Sequence, residues 1–306
     1  MRLIRNWWGR AVRGRPLNAV LASCLAGTLV LLSILLGTSA ANSTRATGRA
    51  GSGDTASAAA HPAASVPADD VISEGSFSCG CISRTLFPNQ SFTPGAVSVV
   101  PDPHGSGQEV LKFAVANGDR PYPGATNPRA DIETPGLFMP GDDDYIAIPV
   151  LVPPSTPPIN TNGAWFNLAE IYGSPWGGSP AVSLGLSDYR EHRHNHFMMN
   201  QDAHHNYHRA WTGPAATDDS WHTIIFHVNF ETDDTGFVQI YFDGKLQKLT
   251  NGSTILHEAT LDPGITWDGS PNYLDLQSYR SAGSFPGTIT TYMGAPSIGP
   301  TLASVQ

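Results

Sequence analysis

Lysine is almost missing: Lys112, Lys245 and Lys248 are the whole complement in 306 residues, and charged residues of every kind make up only 14%. Five of the 17 Lys and Arg residues lie in the first 40 positions, which leaves 12 basic groups against all 26 acidic ones in the rest. So acidic a body lacks the clustered cations that neutralise phosphates, which argues against a general nucleic-acid binder. Cysteine is equally scarce, with Cys24, Cys79 and Cys81 alone. No second Cys pair accompanies Cys79-Gly80-Cys81, so the four ligands of a structural zinc site are missing. The two sulfurs close a small ring or stay reduced, and a structural role outweighs a metal or redox one. No stretch of the body repeats apolar residues at helical spacing, and 25 prolines forbid helices of coiled-coil length. The sequence also has no G-x-S-x-G elbow, phosphate loop, dinucleotide fingerprint or H-E-x-x-H pair.

What is present begins with an export pattern. Arg2, Arg5, Arg10, Arg13 and Arg15 precede an apolar run from about Leu17 to Leu36, followed by small residues. Residues 1–40 therefore read as a signal peptide or an N-terminal membrane anchor, and both place the body outside the cytoplasm. Cys24 lies near the start of the apolar run, not at its end, which excludes a lipoprotein box. Residues 41–70, rich in Ala, Ser, Gly and Pro, read as a flexible linker. Residues 71–306 form the folded domain.

Within that domain, short runs of period-two alternation recur between Gly, Pro, Asn and Asp. Eleven such runs, from Ala96–Val100 to Thr288–Met293, predict one all-β sandwich of two antiparallel sheets. In 221–231, Ile224, Phe226, Val228 and Phe230 share a face, and 236–242 should pair with it and end in an Asp243-Gly244 turn.

Four strands carry polar faces too rich for a solvent coat. Tyr273, Asp275, Gln277 and Tyr279 alternate on one, and Arg129, Asp131 and Glu133 on another. Glu170 and Tyr172 share a side of a third, which runs into a loop holding Trp176. His192, His194, His196 and Asn200 share a side of a fourth. Aromatic rings interleaved with hydrogen-bonding groups suit a sugar-binding surface. Six of the eleven His fall between His192 and His208. Alternate strand residues stand ~6–7 Å apart, so a shared ion needs ligands from elsewhere, and most of the cluster reads as a polar loop. The E-x-D-x-x-E spacing of a sandwich glycosidase is absent, although Asp131 with Glu133, or Glu133 with Glu170, remains a candidate pair.

The order of Asn127-Pro128-Arg129-Ala130-Asp131-Ile132-Glu133, Trp165 to Pro180, Trp221 to Gly244, and Tyr273-Leu274-Asp275-Leu276-Gln277-Ser278-Tyr279-Arg280 resembles secreted polysaccharide lyases of the heparin lyase I and glucuronan lyase type. The resemblance implies a concanavalin A-like β-jelly roll that cleaves a uronic-acid polysaccharide by β-elimination. By position it implies Tyr279 and Arg129 as catalytic residues, with a histidine role passing to His194 or His196, of which His196 is the one expected at the reaction. Glu170, Tyr172, Trp176, His194, Asn200, Tyr273 and Gln277 would line the substrate. It implies an acidic polysaccharide partner, a monomer, and no metal or cofactor. Where such lyases carry Lys and Gly in the late motif, this chain has Asp275 and Gln277, and Glu170 and Tyr172 occupy the usual Gln and His positions. A glycan-binding module without catalysis and a glycoside hydrolase are the alternative expectations.

Overall fold

The computed structural model describes residues 77, 79–157, 164–173, 180–188, 193–203, 206–261, 270–282 and 287–306. The signal or anchor and the linker expected over 1–70 lie outside these residues. In chain order the strands are β1 (Asn89–Ser91), β2 (Val97–Pro101), β3 (Glu109–Val115), β4 (Arg129–Glu133), β5 (Asp143–Leu151), β6 (Phe166–Tyr172), β7 (Val182–Asp188) and β8 (Arg193–Ala203), followed by β9 (Asn206–Ala215), β10 (Trp221–Asn229), β11 (Phe237–Phe242), β12 (Lys245–Leu246), β13 (Leu256–His257), β14 (Tyr273–Arg280), β15 (Ile289–Met293) and β16 (Ser297–Gly299). No helix among the described residues is long and apolar enough to cross a membrane.

Two antiparallel sheets form a β-jelly roll. One has seven strands in the order β1-β4-β14-β6-β7-β8-β9. The other runs β12-β11-β10-β5-β15-β3-β2, with β13 paired to β11 and β16 to β5. The alternation explains the stacking. Ile224, Phe226 and Val228 of β10 and Phe113 of β3 meet Ile132 of β4, Leu276 of β14, Leu184 of β7 and Phe197 of β8 in one continuous core, each at most 1% exposed. Burying each such side chain contributes about 1.5–3 kcal/mol relative to exposure, which locks the register of both sheets.

The expected pairing of 221–231 with 236–242 is present: Phe226 faces Ile240 and Val228 faces Val238. Asp243 and Gly244 both take positive φ, as a two-residue type I′ hairpin requires, and join Phe242 to Lys245. Cys79 and Cys81 form a disulfide.

The histidine-rich stretch holds the strand expected over 194–201 and departs from the polar loop expected around it. Its described residues belong to β8 and β9, which pair from His196↔Ala215 to Ala203↔Asn206. Two register shifts, beside Met198 and between Met199 and Asn200, interrupt the alternation by which a strand is read in sequence. Met199 and Trp211 still face the core, and that burial holds the hairpin in the sheet.

Candidate active site

The face of the seven-stranded sheet turned away from the core is built by register. On β4, Ala130 and Ile132 enter the core, which leaves Arg129, Asp131 and Glu133 outward. On β14, Leu274 and Leu276 enter it, which leaves Tyr273, Asp275, Gln277 and Tyr279 outward. Tyr279 pairs with Arg129, Gln277 with Asp131, and Asp275 with Glu133. A register shift between Asn167 and Ala169 in β6 brings Asn167 to the same side as Glu170, where its Nδ2 donates to Glu170 Oε1 at 2.6 Å.

One polar row crosses every strand of this sheet. Asn89 pairs with Glu133, Glu133 with Asp275, Asp275 with Glu170, Glu170 with Ser183, Ser183 with Asn200, and Asn200 with Arg209. Side chains directly opposed in this way stand about 4.5–5.5 Å apart at Cβ. Three successive positions of the row are therefore carboxyl groups, with Asp131 beside them.

These carboxyls are buried, and that burial decides their charge. Asp275 is 3% exposed, and desolvation, then Asp131 and Glu170, hold it well above the usual carboxylate range. Desolvation likewise raises Glu170 and Glu133. Asp131 is pushed up to about 7 by burial, although Arg129 pulls in the other direction. Burial works against the charge on Arg129, but Asp131 outweighs it and keeps the guanidinium protonated. The patch thus stores protons around one cation. Oδ1 of Asp131 and Oδ1 of Asp275 are buried without a hydrogen-bond partner.

Beside the row, Tyr279 is held on three sides. The Arg129 guanidinium lies 4.3 Å from its ring centre, Trp165 meets it edge-on at 4.6 Å, and Asn127 Nδ2 donates to its Oη at 3.4 Å. The amide of Asn127 is oriented because its Oδ1 accepts from the backbone N–H of Ala282 at 3.0 Å. Arg129 is fixed by Nε donating to Asp131 Oδ2 at 2.6 Å and Nη1 donating to Tyr122 Oη at 3.2 Å. Tyr122 is 46% exposed and forms the outer wall of this corner.

Of the residues expected from sequence, Arg129 and Tyr279 meet directly. Glu170, Asn200 and Gln277 lie in the floor of the same face, all buried. Tyr172 and Tyr273 sit together at one margin, with ring centres 5.9 Å apart. His196 stands apart: β8 is three strands from β14, roughly 14 Å by strand spacing, and its Nδ1 engages the carbonyl oxygen of Gly213 at 2.8 Å. The structure therefore does not bring His196 to Tyr279. Trp176 and the side chain of His194 lie outside what is described. Tyr122, Asn127 and Asn167 were missed. Asn127 carried one faint signal, since it directly precedes Pro128, which biases it towards extended backbone before β4. Among the described residues, no cluster of His, Cys, Asp and Glu is arranged to hold a metal ion.

A jelly roll with a polar, aromatic-edged sheet face has the form of a carbohydrate-active domain. The model of the polysaccharide lyase family matches residues 72–277, and the chain belongs to that family. It is accordingly a carbon–oxygen lyase acting on polysaccharides. Among solved structures it is similar to the endo-β-1,4-glucuronan lyase of the fungus Trichoderma reesei, with 15% identity and a TM-score of 0.51 over 72% of this chain and 93% of that one. That likeness shows the fold. Weaker likenesses are to an alginate lyase from Pseudomonas aeruginosa (9% identity, TM-score 0.45, 71% and 99% of the two chains) and to the catalytic domain of a glycoside hydrolase family 131 protein from Coprinopsis cinerea (11%, 0.49, 76% and 92%). A comparison with curated proteins found no match.

Proposed function

We propose that the chain cleaves a uronate-containing polysaccharide by β-elimination at the Tyr279–Arg129 corner of the seven-stranded sheet, outside the cytoplasm. The observation that carries this reading is the packing of the Arg129 guanidinium 4.3 Å over the Tyr279 ring, with Asn127 donating to the phenol oxygen. Both place positive charge where negative charge develops. Nε and Nη1 of Arg129 make their contacts within the protein, and Nη2 is the donor this reading assigns to a uronate carboxylate.

In the reaction, Tyr279 as phenolate takes the proton from the carbon α to the carboxylate. Electrons from that C–H bond form the ring double bond, and the bond from the β carbon to the glycosidic oxygen breaks. The phenol then returns the proton to the leaving oxygen, so one residue serves both steps and His196 is not needed. The Arg-rich N-terminus followed by an apolar run, and the Cys79–Cys81 disulfide, support an oxidising compartment.

The test is ultraviolet absorbance of the full chain with a panel of uronate polymers. Growth of the unsaturated-uronate band, abolished by Tyr279→Phe, is the expected result. New reducing ends without that band would mean hydrolysis and would overturn the proposal.

A further inference from the structure

The proposed reaction occupies one corner of the sheet face and leaves the rest of its length without a role. Two adjacent rows run from that corner across the strands. The first continues from Tyr279 through Asn167, Gly185, Met198 and Thr212, none of them charged. The second is the carboxyl row of Glu133, Asp275 and Glu170, which ends at Arg209. Among the described side chains that these strands turn outward, Arg129 and Arg209 are the only Lys or Arg. Their strands are five spacings apart, roughly 24 Å, which is the width of several sugar rings.

A chain of consecutive uronates laid along either row would put carboxylates between Arg129 and Arg209, where the described outward side chains of the sheet offer no Lys or Arg. Taking a carboxylate out of water without a counter-charge is costly, and here it would sit beside carboxyl groups whose own charge burial already disfavours. A neutral ring meets a better surface. It lays no second charge over Asp131 and Asp275, whose Oδ1 atoms are buried and without partners.

We infer that the substrate is a heteropolymer whose uronates are separated by uncharged sugars, with one uronate at Arg129 and neutral rings over Asp275 and Glu170. This rests on the reading of the Tyr279–Arg129 corner as the reacting centre. Asp275 and Glu170 are then specificity residues that reject runs of charge.

The test uses the full chain carrying Tyr279→Phe, so that bound polymer is not consumed, in affinity electrophoresis. Hyaluronan, in which uronate alternates with an N-acetylated sugar, is compared with glucuronan, alginate and pectate. Retardation by hyaluronan at a polymer concentration at least about tenfold lower than by any homopolyuronate is expected. Equal or tighter retardation by a homopolyuronate, or retardation by none of the four, overturns the inference. Asp275→Lys should narrow the ratio by improving homopolyuronate binding. His227→Ala, on the outward face of the other sheet, should leave the ratio unchanged, and matching circular dichroism spectra control for misfolding. Absorbance of the unsubstituted chain runs in parallel: selective binding without any unsaturated product would sink the elimination reading and leave the charge-spacing inference standing.

Discussion

The outward faces of the two sheets draw on the same kinds of residue and spend them differently. On the nine-stranded sheet, His227 is bracketed by Asp143 at 2.6 Å and Gln239 at 2.7 Å and stacks on Tyr145 at 3.9 Å. At the end of the core-facing side of the same strand, His222 sits between Asp243 and Asp218 at 2.9 and 3.1 Å and packs on Phe197 of the other sheet. Acid and base there satisfy each other, and the C-terminal Leu302 and Val305 cover part of the surface by packing on Ala147 and Ile225. On the seven-stranded sheet the acids face other acids, one arginine serves several of them, and buried oxygens remain without partners. A polar cluster complete in itself stabilises the fold, whereas one left incomplete awaits something from outside.

The largest effect should come from Tyr279→Phe, which removes the proton carrier and keeps the ring between Trp165 and Arg129. A loss of about 10²–10⁴-fold in turnover is expected, with an unchanged circular dichroism spectrum. Arg129→Ala should cost about 10²–10³-fold in kcat/KM, measured on the same substrate, because the developing carboxylate charge loses its counter-ion. The contrast with the other sheet is sharpened by His227→Ala. It should lower unfolding stability by about 1–3 kcal/mol in denaturant titration yet leave turnover per folded molecule unchanged. An activity loss there would break the distinction between the two faces.

Protonation gives a fourth prediction. The carboxyls of the seven-stranded face have raised values in the folded chain, so their contribution to stability is complete below their unfolded values. It is lost as pH rises through about 7, where Asp131 ionises. The melting temperature should fall between pH 5 and pH 8, and Asp275→Asn should flatten that slope. The smallest effect is expected for Tyr122→Phe, which deletes one hydrogen bond to Arg129. Loss of about 1 kcal/mol corresponds to roughly fivefold in kcat/KM.

Much of the architecture was readable in the chain. The alternation in β3, β4, β10, β11 and β14 located strands whose inward residues are the core seen in the structure. Of the β8–β9 hairpin, β8 was legible as the run 194–201, whereas β9 escaped, and two register shifts interrupt the pairing between them. Tyr279 and Arg129 could be paired by analogy of motif, but the distance of His196 from them could not. Its place depends on β6 and β7 standing between β14 and β8, an order in the sheet rather than in the chain.

By itself, then, the sequence determined which faces are apolar, where hairpins turn, and that acids far outnumber bases, because each is a property of residues near one another along the chain. Only the tertiary structure decided that Glu133, Asp275 and Glu170 stand in one row, that burial works against their charge, and that Asn127 reaches Tyr279 from 152 positions away. Charge state and partnership depend on what surrounds a group in space, and strand order sets that environment.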